Sequence, residues 1–290
     1  MKNILVAFPR SEDLVKRIAR KKKWPWTSID IRKFPDGETN LRFRKDPKGK
    51  DLYLVDSFDE PNDDLITLLF AARTAKELKA RKVFLISPYL GYMRQDKRFR
   101  PYEAVSSRIM ADLLNPCLDG IMTIDPHLHR YSSLNDIFSM RSEKLTADPL
   151  IAEFVKKNYS NPVVVGPDEE SYQWARKVAG LIGCEATVLK KKRYTAKHVS
   201  IKLREGVDVR GKDVIIIDDI ISTGHTMAET VKDVKNAGAK RVCCICVHAI
   251  FAGGSHEMLR KLGARVVSCN TIPHKTNRID VSGLISSSLK

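Results

Sequence analysis

One stretch of the sequence combines two acids with a run of small, hydroxyl-bearing residues. Asp218 and Asp219 follow the aliphatic run 214–217, and after them come Ser222, Thr223, Gly224, His225 and Thr226. The pattern predicts a buried strand and then a turn into a helix. Amides at a helix start favour phosphate, and the carboxylates can accept from sugar hydroxyls. The segment indicates a sugar-phosphate site; its alternative is an ordinary capped turn.

Four other segments carry polar groups that allow more than one interpretation. The sequence Phe-Pro-Asp-Gly-Glu at 34–38 is typical of a tight turn. Arg94 suits phosphate oxygens, although it also suits any basic surface. The pair His127 and His129 could chelate a transition metal or mark a polar strand end. The four cations at 190–193 are typical of a solvated loop or of a nucleic-acid contact.

Short apolar runs alternate with amphipathic stretches along the whole chain, and this pattern predicts an α/β fold with mainly parallel sheets flanked by helices. The predicted strands are 3–8, 52–55, 83–87, 121–124, 163–165, 186–189, 214–217, 241–248 and 264–269. The predicted helices are 65–78, 104–114, 150–158, 170–181 and 227–237.

An internal repeat predicts two related domains, 1–145 and 146–290. The run Gly-Lys-Asp followed by apolar residues occurs at 49–55 and again at 211–217, and a basic turn leads into the next strand in both copies. The copies differ after the first strand, where 58–64 is acidic and 220–226 is rich in Ser, Thr and Gly. Acids repel phosphate, so we expect only the second domain to hold a phosphorylated ligand.

Bulk properties narrow the class of protein without deciding it. The chain has 290 residues, a formal net charge of +16 and six cysteines, three of them within 243–246. The spacing of Cys243 and Cys246 lacks the second pair that a zinc site needs, so reduced, structural thiols are expected. No apolar run is long enough to span a bilayer. A cytoplasmic protein is the expectation, and the charge fits a phosphate-rich substrate or a nucleic acid.

The motif at 214–226 resembles the phosphoribosyl diphosphate binding motif of type I phosphoribosyltransferases and of ribose-phosphate pyrophosphokinases. The segments 34–38, 88–96, 125–129 and 270–274 resemble the pyrophosphokinases specifically. The resemblance spans nearly the whole chain and is closest to the shorter, archaeal-like members. It implies two tandem phosphoribosyltransferase-like domains, of which the N-terminal copy is degenerate and carries segments of the ATP site.

The resemblance also implies roles for particular residues. ATP is expected to contact Phe34, Asp36, Gly37, Glu38, Arg94 and Gln95. Ribose 5-phosphate is expected to contact Arg193, Asp218, Asp219, Ser222, Thr223, Gly224, His225 and Thr226. Mg²⁺ contacts are expected at His127 and Asp168. The catalytic cations are expected to be Lys191 and Arg193 on a flexible loop, with Lys190 and Lys192 as the alternative register.

The implied reaction is transfer of the diphosphate group of ATP to the anomeric hydroxyl of ribose 5-phosphate, giving 5-phosphoribosyl 1-diphosphate and AMP. A homo-oligomer whose subunits share the ATP site is implied as well, with no membrane partner and no expected nucleic-acid partner. The alternatives are a phosphoribosyltransferase and a non-catalytic regulatory or nucleic-acid-binding homologue. His225 departs from the motif, because the family usually has a second glycine there.

Overall fold

The computed structural model of the chain describes residues 2–128, 130–193, 199–203 and 207–290, with the backbone alone at 189–193 and 199–203. The contacts divide the chain into two compact units. Unit 1 comprises 1–145 together with 271–273 and 282–290, and unit 2 comprises 146–270 and 274–281. The division after residue 145 coincides with the start of the predicted second domain, whereas the end of the chain groups with unit 1.

Unit 1 contains a seven-stranded sheet within its described residues. Its strands are β1 (Asn3–Ala7), β2 (Trp26–Lys33), β3 (Thr39–Phe43), β4 (Asp51–Val55), β5 (Lys82–Ser87), β6 (Gly120–Ile124) and β7 (Arg141–Leu145). They lie in the order β3-β2-β1-β4-β5-β6-β7. All neighbours are parallel except β2 and β3, which form an antiparallel hairpin at one edge.

Unit 2 repeats this topology. Its strands are β8 (Pro162–Gly166), β9 (Glu185–Arg193), β10 (Val199–Leu203), β11 (Asp213–Ile221), β12 (Arg241–Ala249), β13 (Arg265–Cys269) and β14 (Asn277–Ile279). Their order, β10-β9-β8-β11-β12-β13-β14, has the same pattern as that of unit 1, with the antiparallel hairpin again at the first edge. The common strand order agrees with the internal sequence repeat.

Helices connect the parallel strands in both units. They are α1 (Glu12–Lys22), α2 (Pro61–Glu77), α3 (Ser106–Leu114), α4 (Asp148–Asn158), α5 (Glu169–Ile182), α6 (His225–Asn236), α7 (Ser255–Lys261) and α8 (Ser282–Ser288). In unit 2, the face of β11 that bears Val214 and Ile216 packs against buried residues of α6 such as Val231 and Val234. The central strands are aliphatic throughout because both of their faces are buried.

The strands missing from the predicted set lie mostly at sheet edges. β3, β7, β10 and β14 are the edge strands of the two sheets. An edge strand is partly solvated, so it lacks the aliphatic run that marks a central strand. Helix α1 was also not predicted, although it buries Leu14, Val15 and Ile18 between its charges. The α/β expectation itself is confirmed by the two mainly parallel sheets.

Two local predictions are wrong. The cations at 190–193 were expected in a loop, but their backbone continues β9 and pairs antiparallel with β10. The strand predicted at 214–217 runs from Asp213 to Ile221, so the two acids lie inside β11 and not beyond its end. Pairing with β12 continues to Ile221, which shows why the strand outlasts its aliphatic run. In the described part of the chain, no helix is long and apolar enough to cross a membrane.

Candidate active site

The sugar-phosphate candidate lies in unit 2, where β11 leads into α6. Gly224 is the N-cap residue of α6 and has φ +70°, in the left-handed region. A Cβ placed on Gly224 would come 2.9 Å from the Cβ of Ser255. Glycine therefore serves two purposes here, because another residue would be both strained and crowded.

The loop differs from an ordinary capped turn. No side chain caps the N-terminus of α6. Among the backbone hydrogen bonds that the described residues form in turns, loops and caps, none has the amide of Ser222, Thr223 or Gly224 as its donor. Ser222 is half-buried and Thr223 and Thr226 are exposed. Amides and hydroxyls of this kind at a helix start form a ready anion site.

Carboxylates gather beside this loop. The Asp218 carboxylate accepts a hydrogen bond from the amide of Asp219 (3.1 Å), and the Asp219 carboxylate accepts from the amide of Ile220 (2.7 Å). Burial raises the pKa of Asp218 well above its usual range, and the charges of Asp219 and Asp168 raise it further. The three acids are thus close enough to repel one another, and a bound cation or a donating sugar diol would relieve that repulsion.

Asp168 has a structural role that its sequence context did not reveal. It is the N-cap of α5, where its Oδ1 accepts from the amide of Ser171 (2.9 Å) and from the Ser171 hydroxyl (2.9 Å). The preceding Gly166 packs against the start of α5, because a Cβ there would lie 2.9 Å from the backbone of Tyr172. The cap fixes the carboxylate at the carboxyl end of β8, next to the strand that carries Asp218.

His225 is the first residue of α6 and its side chain is exposed. The His225 side chain can donate an N–H hydrogen bond, so it adds to the groups next to Gly224 that can contact an anion.

In unit 1, residues 34–38 form the tip of the β2–β3 hairpin. The amide of Phe34 donates to the carbonyl of Glu38 (2.8 Å), and the amide of Gly37 donates to the carbonyl of Phe34 (2.9 Å). Gly37 has φ +92°, and the carboxylate of Asp36 accepts from the amide of Glu38 (3.1 Å). The turn interpretation of this segment is correct. The turn also leaves Phe34 50% exposed, so its ring is available to stack on a ligand.

Arg94 and Gln95 lie in the segment between β5 and α3, and their side chains differ in exposure and in hydrogen bonding. Arg94 is exposed, whereas the Gln95 side-chain oxygen accepts from the hydroxyl of Ser106 (2.9 Å). The next residue, Asp96, is buried and accepts from the guanidinium of Arg130 (2.6 Å). This ion pair anchors the segment, so Arg94 projects from a fixed base.

His127 follows β6 and is half-buried. It comes two residues after Asp125, which has φ +36°. Backbone strain in a residue other than glycine is characteristic of functional loops. His129 lies outside the described residues, so the chelating pair has no structural description.

The structure brings together only part of the predicted site. Asp168, Asp218, Asp219 and 222–226 adjoin in unit 2, while 34–38, Arg94, Gln95 and His127 belong to unit 1. Lys191 and Arg193 are alternate residues of β9, and their side chains lie outside the described part. Across that part, no three His, Cys, Asp or Glu residues form a ready-made metal site. Cys243 and Cys246 are free and buried within β12.

Ser255 is a contact of the loop that the sequence did not indicate. Its hydroxyl donates to the carbonyl of Ser222 (2.7 Å), and the residue is fully buried at 1% exposure. The two serines are 33 residues apart, and no local pattern links them.

Known proteins resemble the chain over its whole length. The family model for the N-terminal domain of ribose phosphate pyrophosphokinase matches residues 3–117, and the phosphoribosyl transferase domain model matches 134–283. A ribose-phosphate pyrophosphokinase from Methanothermobacter thermautotrophicus is 32% identical over 290 residues, covering 99% of this chain and 100% of the relative.

The chain belongs to the ribose-phosphate pyrophosphokinase family.

A second archaeal relative, ribose-phosphate pyrophosphokinase 2 of Archaeoglobus fulgidus, is 34% identical over 286 residues, covering 98% of this chain and 99% of the relative. The crystal structure of phosphoribosylpyrophosphate synthetase from Mycobacterium smegmatis superposes with a TM-score of 0.87 at 28% identity, covering 99% of this chain and 97% of that one. The predicted resemblance to archaeal-like pyrophosphokinases is confirmed, as are the fold class and the enzyme class. These relatives match both units, so a phosphoribosyltransferase is not favoured.

Proposed function

We propose that this pyrophosphokinase family member transfers the β,γ-diphosphate of ATP to the anomeric oxygen of ribose 5-phosphate, releasing AMP. The observation that carries the proposal is the loop at 222–226, uncapped and next to the carboxylates of β11, in a chain matched end to end by pyrophosphokinases. The loop suits the 5-phosphate, and Asp218 and Asp219 suit the ribose diol.

The site residues act mainly by positioning. The phosphate held at 222–226 fixes one end of the sugar and the carboxylates fix its hydroxyls, which orients the anomeric oxygen for attack on the β-phosphorus. On unit 1, the exposed ring of Phe34 would stack on adenine, with Asp36, Gly37 and Glu38 around the nucleoside and Arg94 and Gln95 contacting ATP. Such transfers depend on alignment and charge neutralisation more than on covalent chemistry.

Lys191 and Arg193 are the residues that we propose neutralise the migrating diphosphate. Charge builds on its oxygens during transfer, and fixed cations stabilise that charge. Arg193 would also contact ribose 5-phosphate.

Mg²⁺ fits the acids present. Burial, and after it the charges of Asp219 and Asp168, raise the pKa of Asp218, and hard cations prefer carboxylate oxygens of this kind as ligands. We propose Asp168 as a protein contact, together with His127 on unit 1. When bound, the ion neutralises phosphate charge. The chain's own part is to hold Asp168 at the N-cap of α5, which leaves its Oδ2 for a ligand.

AMP release tests the reaction. The purified chain is incubated with ATP, ribose 5-phosphate and MgCl₂, and AMP and 5-phosphoribosyl 1-diphosphate are quantified by chromatography. We expect equal amounts of both products, and none when ribose 5-phosphate is omitted. AMP formation that does not depend on ribose 5-phosphate, or the absence of AMP, would contradict the proposal.

We also propose that the chain forms a homo-oligomer in which 34–38 completes the ATP site of a neighbouring subunit. Two surface stripes of unit 1 support association of copies: Ile66 and Phe70 on α2, and Ile109 and Leu113 on α3, each between 41% and 51% exposed. Both helices cross over between successive parallel strands, so they lie on the same face of the sheet. Exposed apolar patches of this kind mark interaction surfaces.

A cytoplasmic location is proposed on the state of the cysteines. All six are free, five of them buried. Reduced thiols are typical of a reducing compartment.

A further inference from the structure

A short segment after β12 contacts the start of the proposed phosphate loop. Residues 251–255, here called the bracing segment, donate two hydrogen bonds to backbone carbonyls at the start of that loop. The amide of Phe251 donates to the carbonyl of Ile221 (2.9 Å), and the hydroxyl of Ser255 donates to the carbonyl of Ser222 (2.7 Å).

These two hydrogen bonds determine where the loop amides point. In a trans peptide, the carbonyl of one residue and the N–H of the next are directed oppositely. The chain has no cis peptide in its described part. Because the Ile221 and Ser222 carbonyls are turned toward the bracing segment, the N–H groups of Ser222 and Thr223 are turned away from it. That is the side on which a phosphate can be bound.

The bracing segment is itself held firmly. Ser255 is 1% exposed, and its Cβ fills the space beside Gly224. The ring of Phe251 packs 4.7 Å from the ring of His274 and 5.5 Å from that of His256, and the two histidine rings lie 5.3 Å apart. Phe251 adopts φ +46°, a conformation that persists only where its surroundings fix it.

We infer that Ser255 is a positioning residue for the phosphate site, orienting the loop amides through its bond to the Ser222 carbonyl. The inference rests on the proposed binding of ribose 5-phosphate at 222–226. Ser255 does not touch the substrate; it acts through Ser222. Without its hydroxyl, the peptide between Ser222 and Thr223 can rotate, and the Thr223 amide loses its fixed direction.

Kinetics of Ser255→Ala test this role. Loss of one neutral hydrogen bond corresponds to a factor of about three to ten, so KM for ribose 5-phosphate should rise by about that factor. KM for ATP should stay near wild type, because the proposed ATP contacts do not include this peptide. The matched control is Ser286→Ala, which removes another buried serine hydroxyl that donates to a backbone carbonyl, that of Ser282 in α8 (2.5 Å). It should leave both KM values unchanged.

A binding measurement without ATP tests the effect of Ser255 on ribose 5-phosphate affinity separately from the proposed reaction. Ribose 5-phosphate is titrated against the thermal unfolding of each variant without ATP. Ser255→Ala should need a correspondingly higher concentration than wild type for the same rise in Tm. Should Ser255→Ala fail to fold, Phe251→Leu, which removes the ring contacts to His274, is expected to weaken ribose 5-phosphate binding in the same way.

Unchanged ribose 5-phosphate affinity in a folded Ser255→Ala would overturn the inference, as would an equal loss in Ser286→Ala. A wild-type chain that binds ribose 5-phosphate but forms no AMP would instead refute the proposed reaction and leave the brace supported by the titration.

Discussion

The surroundings of Asp218 disfavour the charged form of its carboxyl. Burial and the neighbouring acids raise the pKa of its carboxyl, yet it lies where a sugar diol and a cation are proposed to bind. Acids held in this way are more stable once a ligand supplies donors or positive charge. Binding of the proposed ligands should therefore lower the pKa of Asp218 toward its usual range.

Lys191 allows a decisive test of the catalytic cations. A cation that acts only on the charge of the transferring group lowers the barrier without holding the ground state, so Lys191→Ala should reduce kcat by about 10³–10⁵-fold and leave both KM values near wild type. Steady-state AMP release provides the measurement.

Lys192→Ala is the matched control for Lys191, since it removes the same charge from the next position of β9. It should retain most of its turnover. A collapse in Lys192→Ala with activity kept in Lys191→Ala would assign the alternative register, Lys190 and Lys192.

At the scale of elements, the strand-to-helix connections of the two units have opposite electrostatics. After β11 the loop is uncapped and open to anions, whereas after β4 the acids Asp59, Glu60 and Asp64 surround Arg10. The Arg10 guanidinium lies 2.6 Å from the Asp64 carboxylate. The connection between β4 and α2 in unit 1 thus carries a cluster of ion pairs. The equivalent connection in unit 2, between β11 and α6, has a helix start without a side-chain cap.

Asp64, in the first turn of α2, predicts a pH effect on stability. Burial raises its pKa from 3.8 to about 6 despite the opposing effects of the Glu60 amide and of Arg10. An acid whose pKa is higher in the folded chain binds more protons when folded, so its contribution to stability falls as pH rises from about 4 to about 6. Between pH 4.5 and 6.5, the free energy of unfolding of Asp64→Asn should decrease less, or increase more, than that of wild type.

Urea unfolding at both pH values gives this comparison. Asp63→Asn serves as the control because Asp63 is the exposed neighbour, 61% accessible in its pair with Lys33. It should follow the wild-type pH dependence. Identical pH dependence in wild type and Asp64→Asn would contradict the assignment of the raised pKa to Asp64.

The elements that sequence could predict are those whose burial is complete. β1, β4, β5, β8, β11 and β12 were found from aliphatic runs, and the small residues at 222–226 led to the proposed phosphate loop. The edge strands escaped because half-solvated strands carry mixed residues, as in Arg141–Leu145. Ser255 and the capping role of Asp168 escaped because each depends on geometry: one on a distant pairing, the other on where α5 begins.

At the scale of the whole molecule, the duplicated topology relates two parts of the proposed site. The hairpin β2–β3 carries 34–38, and its counterpart β9–β10 begins with the strand that carries Lys191 and Arg193. The segment proposed to contact ATP and the strand that carries the proposed catalytic cations thus belong to equivalent edge hairpins of the two units. We propose that the same hairpin of a duplicated domain contacts ATP in unit 1 and carries the catalytic cations in unit 2.

A mixing experiment tests the proposed sharing of the ATP site. Phe34→Ala and Arg94→Ala should each be inactive or nearly so. If these residues reach one site from different subunits, an unfolded and co-refolded mixture of the two variants forms some intact sites, and AMP release should partly recover.

Each variant refolded alone is the control and should remain as inactive as before. No recovery in mixtures shown by size-exclusion chromatography to be mixed oligomers would place both residues in a site built by one subunit.

Helix α8 follows unit 2 in the sequence but belongs to unit 1. Helix α8 groups with unit 1 and contacts α1, and the Lys22 ammonium donates to the carbonyl of Leu289 (2.6 Å). Domains usually fold in the order in which they leave the ribosome. Residues 282–290 therefore join unit 1 only after the whole of unit 2 has been translated. Until then, the surface of α1 that contacts α8 in the folded chain stays uncovered.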